Sequence, residues 1–242
     1  MKSARAAEER HSDYRSFAFR QTPRRHRWTG RAGLCRRGNR SATWRTRRDS
    51  GSGRAGRRCP SCGIRLGPLD LLDRERLAAA VAEIVAAWGT IDGLFNVAGA
   101  FEWRKFEDCD LVHWSRLFEA NLLSAVGATS AVLPHVREGA TIVNVAAAAA
   151  GRGALGIGPY RASKAAVLRL TESLAEELAP RRIHVYSVSP TILDTPRNRA
   201  DMPDADVSRW IAPGRLAARM LALLDRDAPS GSDFHMSSAT IA

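Results

Sequence analysis

The stretch Ile91-Asp-Gly-Leu-Phe-Asn-Val-Ala-Gly99 is the clearest guide to the fold of this chain. A short, mostly apolar run of this length predicts a strand that is buried on both faces, as in a parallel sheet. The Ala98-Gly99 pair marks a turn at its end. Asp110 then fits the N-cap of a long helix that runs toward Val136. A buried strand, a turn and a long helix together form one unit of an α/β fold.

The same alternation continues on both sides of this stretch. Ile64 to Leu71 can form an earlier strand, and Asp73 can cap a helix that ends at Gly89. Beyond Val136 the sequence predicts strands over residues 140–145 and 183–188, and helices over residues 160–178 and 211–224. Strands alternating with helices predict a doubly wound parallel sheet that is covered on both faces, in one α/β domain over residues 64–242.

Residues 1–63 do not share this pattern. Arginine, serine and glycine dominate the segment, and we interpret it as disordered or aberrant. The net charge of +12 comes from this end: residues 1–66 hold 19 Lys and Arg against 4 Asp and Glu, and the remaining residues hold 18 against 21. A basic arm can bind phosphate backbones or acidic membrane surfaces, but such tails more often stay solvated. We therefore expect no nucleic-acid partner.

A doubly wound nucleotide-binding fold should open with a strand, a glycine-rich turn and a helix. The nearest glycine cluster is Thr29-Gly30-Arg-Ala-Gly33, and Arg-His-Arg-Trp precedes it in place of a buried strand. The first βαβ unit is therefore predicted to be atypical or missing.

Compartment and metal content are predicted from the apolar runs and the cysteines. No apolar run reaches the ~18 residues that a membrane span needs, and the N-terminus lacks a secretory signal, so we expect a cytoplasmic protein without a membrane partner. Cys59 and Cys62 form a lone C-x-x-C pair. A zinc site needs four ligands, which Cys35 and His26 could only in principle complete. We expect free thiols and no metal.

The candidate chemistry lies in Tyr160-Arg-Ala-Ser-Lys164. Residues four apart on a helix lie one turn above the other, so the spacing places a weak acid next to a cation. A tyrosine hydroxyl ionises near pH ~10, and acid-base work at neutral pH requires a positive charge nearby. We expect Lys164 to supply that charge and to lower the pKa of Tyr160.

From about Asp70 to Trp210 the chain resembles the short-chain dehydrogenase/reductase family. The resemblance rests on an ordered set of motifs: Asp70-Leu-Leu-Asp73, Asn96-Val-Ala-Gly99, Asn121 in the long helix, Tyr160-x-x-x-Lys164, and Ser189-Pro190-Thr191-Ile192. Each motif alone is weak, and the ordered set is specific.

The resemblance implies a Rossmann-type fold, NAD or NADP as cofactor, and hydride transfer to or from a carbonyl-type carbon of a small-molecule substrate. It gives Tyr160 the role of acid/base, Lys164 that of holding the nicotinamide ribose, and Asn121 a place in a water-linked proton path. It also implies a homodimer or homotetramer that pairs through the Asn121 and Tyr160 helices. The implied cofactor contacts are, near the adenine and ribose, Asp70, Leu71, Asn96, Ala98 and Gly99, and, near the nicotinamide, Pro190, Ile192 and Thr195.

One position departs from the family pattern. Most members carry a serine thirteen residues before the tyrosine, and here that residue is Ala147, which cannot donate a hydrogen bond. Residues 191–210 resemble the matching segment of dihydropteridine reductase, a branch without this serine, which makes a pterin-like substrate one hypothesis. The alternative is a catalytically impaired protein that binds the dinucleotide without turnover.

Overall fold

A computed structural model of the chain describes residues 17–20, 69–225 and 228–239. Within them, five strands form one sheet in the spatial order β1 to β5: Phe17–Arg20 (β1), Ile91–Asn96 (β2), Val136–Val145 (β3), His184–Pro190 (β4) and Asp233–Met236 (β5). Strands β2 to β5 are parallel, and β1 is antiparallel to β2. The predicted parallel sheet is therefore confirmed for four strands, with one antiparallel strand at its edge.

Except for one short helix, Pro196–Asp201, the helices of the described part lie close to where the sequence predicts them. Their bounds are Arg74–Trp88 (α1), Leu111–Phe118 (α2), Ser124–Val132 (α3), Gly158–Leu178 (α4), Pro196–Asp201 (α5) and Pro213–Ala222 (α6). Asp73 and Asp110 are the predicted N-caps. The Asp73 side chain accepts a hydrogen bond from the Arg76 N–H at 3.0 Å, and the Asp110 side chain accepts one from the His113 N–H at 2.7 Å. A π-helical segment, Glu119–Leu123, joins α2 to α3, so the predicted long helix has a widened turn in its middle.

Two apolar cores lie on opposite faces of the sheet. Alternate residues of β2 and β3 point to opposite sides: Leu94 and Ile142 join one core, and Phe95 and Val143 join the other. Residues of α1, α3 and α4 complete the first core, and residues of α6 complete the second. Helices therefore cover the sheet on both faces, as the alternating pattern predicts.

The edge strand β1 bears on the predicted absence of a normal first βαβ unit. In a doubly wound sheet of order 3-2-1-4-5-6, the fourth strand lies beside the first, and both run in the same direction. Strands β2 to β5 follow one another in both space and sequence, as the half that begins with strand 4 does. The place beside β2 is taken by Phe17–Arg20 running the opposite way.

Several predictions on the N-terminal part fall outside the described residues. Apart from β1, the predicted segment 1–63 is not described, and neither are Cys59, Cys62 and the Gly30–Gly33 cluster. Of the predicted strand over residues 64–71, only the last three residues are described, and they lie in a coil and turn before α1.

One helical run in the described part is long and apolar enough to cross a membrane by length and composition alone. It covers Leu111–His135, and an 18-residue stretch of it has a mean hydropathy of 1.2. The sequence analysis predicts no such run. The same test is passed by core helices of soluble proteins. In this fold α3 packs against α1 and β2, and 44% of that 18-residue stretch is buried.

Candidate active site

The candidate site lies at the carboxyl edge of the parallel strands. Asn96 of β2 is in register with Asn144 of β3, and Asn144 with Ser187 of β4. The segments that follow these strands therefore leave the sheet side by side. In open α/β sheets this edge is where ligands bind.

Asn121 fixes the turn that follows β2. Its Oδ1 accepts a hydrogen bond from the Ala100 N–H at 2.8 Å, and its Nδ2 donates to the Ala100 carbonyl at 3.0 Å. The side chain is buried, and it projects from the π-helical segment that joins α2 to α3. π-Helical turns often occur at functional sites, where they redirect a side chain. Here the widened turn carries the residue that fixes both polar groups of Ala100.

Gly99 brings the same turn close to two site residues. A Cβ on Gly99 would lie 2.7 Å from Asn121 Oδ1 and 3.2 Å from Lys164 Nζ. The first distance is shorter than real Cβ contacts, so a side chain here would displace the Asn121 amide. The structure thus brings together three of the predicted site residues, Gly99, Asn121 and Lys164, and only a glycine fits between the other two.

Lys164 is buried with its ammonium group directed at the end of β3. Nζ donates a hydrogen bond to the Val145 carbonyl at 2.7 Å. Burial lowers the pKa of Lys164 to about 8, because the charged form loses its hydration. At neutral pH this residue therefore keeps its positive charge within the site.

Tyr160 lies one turn before Lys164 on α4, as the spacing predicts. Its ring meets the edge of Phe101, with 4.9 Å between ring centroids. Burial raises the pKa of Tyr160 to about 12, and the charge of Arg161 only partly opposes this effect. The expected lowering of this pKa by Lys164 is wrong for this structure: burial dominates, and the Lys164 ammonium is directed at the Val145 carbonyl instead.

Ser163 is a site residue that the sequence reading missed. It is fully buried, accepts a hydrogen bond from Asn121 Nδ2 at 2.9 Å and donates one to the Tyr160 carbonyl at 2.8 Å. It therefore connects the turn held by Asn121 to the helical turn that carries Tyr160. The signal in the sequence is a small polar residue three positions after Tyr160, a spacing that places the two side by side on a helix.

The side chain of Asn96 is buried between β3 and α3. Its Nδ2 donates to Asn144 Oδ1 at 2.8 Å and to Thr129 Oγ1 at 3.1 Å, and the residue is buried. Asn144 in turn donates to Thr171 Oγ1 on α4 at 2.9 Å. The side chain of Asn96 thus ties β2 to β3 and α3, and the place of Asn96 near the adenine and ribose of a dinucleotide stays a prediction. Of its neighbours, Ala98 is half-buried and Gly99 is exposed.

The other predicted cofactor residues are placed as follows. Asp70 is exposed and accepts a hydrogen bond from the Leu72 N–H at 2.9 Å, whereas Leu71 is part of the core. Among the contacts described, none joins these two residues to Tyr160. Pro190 ends β4 at the carboxyl edge, and the exposed Ile192 follows it. Thr195 accepts a hydrogen bond from the Asn198 N–H at 3.2 Å and so caps α5.

Ala147 stands at the same edge, directly after β3. It is buried, with 4% of its surface exposed, and its carbonyl accepts a hydrogen bond from the Ala150 N–H at 2.9 Å. The methyl group offers no hydrogen bond to a substrate oxygen.

The one cysteine in the described part, Cys109, is a free thiol near the Arg104 carbonyl, at 3.8 Å. Within the described residues no cluster of three or more His, Cys, Asp or Glu is arranged to hold a metal ion.

Comparison with known proteins gives a consistent result. The family model described as short chain dehydrogenase matches residues 54–206. Acetoacetyl-CoA reductase of Acinetobacter sp. is 30% identical over 171 residues, which cover 66% of this chain and 69% of that protein. Cyclopentanol dehydrogenase of Comamonas testosteroni is 36% identical over 130 residues, which cover 53% and 52%. The chain thus spans about half the length of several curated relatives that it matches.

The solved structures that this chain resembles are also described as short-chain dehydrogenases/reductases. A putative short-chain dehydrogenase/reductase from Burkholderia xenovorans superposes with a TM-score of 0.66 at 25% identity, over 74% of each chain. A short-chain dehydrogenase/reductase from Serratia marcescens superposes with a TM-score of 0.63 at 27% identity, over 69% of this chain and 72% of that one.

Proposed function

Because the chain belongs to the short-chain dehydrogenase family, we propose that it is an NAD- or NADP-dependent oxidoreductase acting on a small carbonyl-type substrate. The observation that carries this proposal is the meeting of Gly99, Asn121 and Lys164 at the carboxyl edge of the sheet, one helical turn from Tyr160. That edge is the usual ligand site of such a sheet.

The residues of this edge fit one half of a dinucleotide. Gly99 is exposed and has no side chain, so a ligand can approach the backbone there, with the Lys164 ammonium close by. We assign Lys164 to the ribose hydroxyls and the segment with Pro190, Ile192 and Thr195 to the nicotinamide. When bound, the dinucleotide supplies or accepts the hydride. The described residues contain no strand, glycine-rich turn and helix of the kind that holds a pyrophosphate.

Tyr160 is the proton donor in the direction of reduction. With a pKa of about 12 in the ligand-free site, its hydroxyl carries a proton at neutral pH. When hydride adds to the carbonyl carbon, the oxygen gains the negative charge that this proton neutralises, and an alcohol results. In the reverse direction the phenolate would accept the alcohol proton, which requires a cation close by. Lys164, the buried cation one turn away, would have to turn from the Val145 carbonyl to supply that charge.

The test is a turnover panel with NADH and with NADPH. The panel contains cyclopentanone and acetoacetyl-CoA, which are chosen after the names of two relatives, cyclopentanol dehydrogenase and acetoacetyl-CoA reductase. It also contains a quinonoid dihydropterin, which tests the hypothesis of a pterin-like substrate drawn from residues 191–210. We expect oxidation of one dinucleotide with at least one substrate. Binding of a dinucleotide without any turnover would contradict the proposal.

Ala147 favours a second candidate, a protein that binds the dinucleotide without catalysis. Removing one preorganised donor from an active site costs ~10²-fold or more in rate where the reaction depends on it. Under this alternative NADH or NADPH still stabilises the fold, by ~2.7 kcal/mol at 100 times its dissociation constant. A thermal shift with NAD(P)H together with an Ala147→Ser variant that gains turnover would support it.

A further inference from the structure

A small cleft lies beside the first turn of α4, between the loops that follow β2 and β3. Its walls include Arg104 and Phe106 from the first loop, Leu155 from the second, and Pro159, the residue before Tyr160. The two loops are joined by a hydrogen bond from the Arg104 N–H to the Gly156 carbonyl at 2.7 Å. The volume is about 160 Å³, about the space of five water molecules at ~30 Å³ each. The cleft therefore takes a small group, such as a single ring.

The packing of the two loops shapes this cleft. Gly156 has a φ of 75°, and a Cβ on it would lie 2.3 Å from Trp103 Cε2. The indole therefore lies directly against the backbone of the second loop, which only glycine permits. Phe101, two residues earlier, contacts the ring of Tyr160. The loop that forms one wall of the cleft thus also touches the proposed proton donor.

Two apolar side chains that line the cleft are exposed to solvent and belong to neither apolar core. Phe106 is 81% exposed and Leu155 is 74% exposed, and both line the same cleft. Exposed apolar side chains that converge beside a reactive group are typical of a ligand site. They favour the apolar part of a substrate.

Arg104 is the only charged side chain among the described residues that line the cleft. Glu102 is ion-paired with Arg116, and its Oε2 lies 3.2 Å from His113 Nδ1. Burial lowers the pKa of His113, so the ring adds no charge at neutral pH. Arg104 lies 3.9 Å from Glu102, too far for a hydrogen bond. One carboxylate therefore faces two guanidinium groups, and the donors of Arg104 remain able to bind an anion in the cleft.

We propose that this cleft binds the apolar body of a ketone substrate that carries a carboxylate, and that Arg104 pairs with that carboxylate. The proposal rests on the proposed function, because the cleft is lined by Pro159, the residue before the proposed proton donor Tyr160. A guanidinium that meets a carboxylate forms charge-assisted hydrogen bonds, which are about twice as strong as neutral ones. Arg104 is then the residue that selects oxo acids over neutral ketones.

The test compares cyclohexanone with 4-oxocyclohexanecarboxylate, which differ by the carboxylate alone. Binding of each to the full chain is measured by saturation-transfer NMR or calorimetry. We expect the carboxylate compound to bind about tenfold more tightly, and Arg104→Gln to abolish that preference, since one charged hydrogen bond corresponds to about a tenfold change or more. Phe106→Ala should weaken the binding of both ligands by a similar factor.

Lys105→Gln is the matched control. It removes the same charge from the adjacent residue, whose side chain pairs with Glu107 at 3.4 Å and does not line the cleft. The preference for the carboxylate should persist in this variant. Equal binding of both ketones to the wild-type chain, or an equal loss in Lys105→Gln, would overturn the proposal. A carboxylate preference that Arg104→Gln removes, without oxidation of NADH or NADPH, would instead refute the proposed function and leave the cleft assignment standing.

Discussion

Tyr160 and Lys164 occupy successive turns of α4, and burial moves their pKa values in opposite directions, to about 12 and about 8. At neutral pH the tyrosine is therefore protonated and the lysine is charged. This is the pair of protonation states from which the proposed reduction of a carbonyl starts. The spacing of the two residues could be predicted from the sequence. Their pKa values could not, because they depend on how deeply the fold buries each group.

The lowered pKa of Lys164 predicts how stability changes with pH. Between about pH 8 and the ordinary lysine value of 10.5, the unfolded chain binds more protons at this residue than the folded chain does. The contribution of Lys164 to the free energy of unfolding therefore rises with pH through this window and is constant below it. Urea unfolding of wild type and Lys164→Met, from pH 7 to 10, should show this rise in the wild type only. Parallel curves would contradict the pKa.

Gly99 predicts a steric effect at the site. An added methyl group would meet the Asn121 amide at 2.7 Å, so we expect Gly99→Ala to lower the free energy of unfolding by ~1–3 kcal/mol and to reduce turnover. Gly151→Ala is the control, because a Cβ there meets no atom within 4 Å. Chemical denaturation and kcat measure both effects. Equal behaviour of the two variants would show that the close approach at Gly99 is not required.

At the scale of elements, the π-helical segment Glu119–Leu123 explains how Asn121 reaches the turn after β2. A regular helix from Asp110 to Val136 is what the sequence predicts, and both the N-cap and the overall course are confirmed. The widened turn was not predicted, because helical periodicity does not distinguish one inserted residue. The structure shows it in the hydrogen bond from the Ser124 N–H to the Glu119 carbonyl, five residues earlier.

Asn121→Ala should separate this clamp from ordinary helix stability. It leaves the Ala100 N–H and carbonyl without their side-chain partners and removes the bond to Ser163, and we expect a loss of ~1–3 kcal/mol in the free energy of unfolding. Ser124→Ala, which removes only a bond to the Ala120 carbonyl within the same helix, should cost less. Thermal or urea unfolding measures both. A larger loss for Ser124→Ala would contradict the clamp.

Elements with a strong local signal were predicted, and those formed through long-range pairing were not. Helix α1 is confirmed at both ends, by the Asp73 cap and by Gly89. Strand β5, Asp233–Met236, lacks an apolar run and becomes a strand by pairing with β4. The short helix α5, which Thr195 caps, is not predicted from the sequence, because its Asp-Thr-Pro start also fits a turn.

At the scale of the whole molecule, the described part is the half of a doubly wound sheet that begins at β2. The family, the fold and the order of the site motifs were all predictable from the sequence, because they depend on motifs in residues 70–210. The antiparallel β1 beside β2 was not, since four residues within a basic segment carry no signal of their direction. The cleft between the loops after β2 and β3 was not predictable either, because no motif fixes the packing of these loops.

The exposed apolar residues at the start of α2 bear on assembly. Leu111 and Val112 are 84% and 74% exposed on the helix for which the family resemblance implies subunit contacts. If the chain forms a homodimer or homotetramer through this helix, Leu111→Glu should shift it toward the monomer in light scattering. Ala79→Glu, at an exposed position of α1, should leave the assembly unchanged. If Leu111→Glu and Ala79→Glu show the same distribution of molecular masses, subunit contact at α2 is contradicted.

The most direct test of the account is Tyr160→Phe, which removes only the hydroxyl that we assign as proton donor. Steady-state kcat on the preferred carbonyl substrate and the dissociation constant of the preferred dinucleotide are measured for both proteins. Loss of general acid catalysis costs about 10²–10⁴-fold, so kcat should fall by that factor while the dissociation constant stays the same. Unchanged turnover in Tyr160→Phe would contradict the assignment of this site as the catalytic centre.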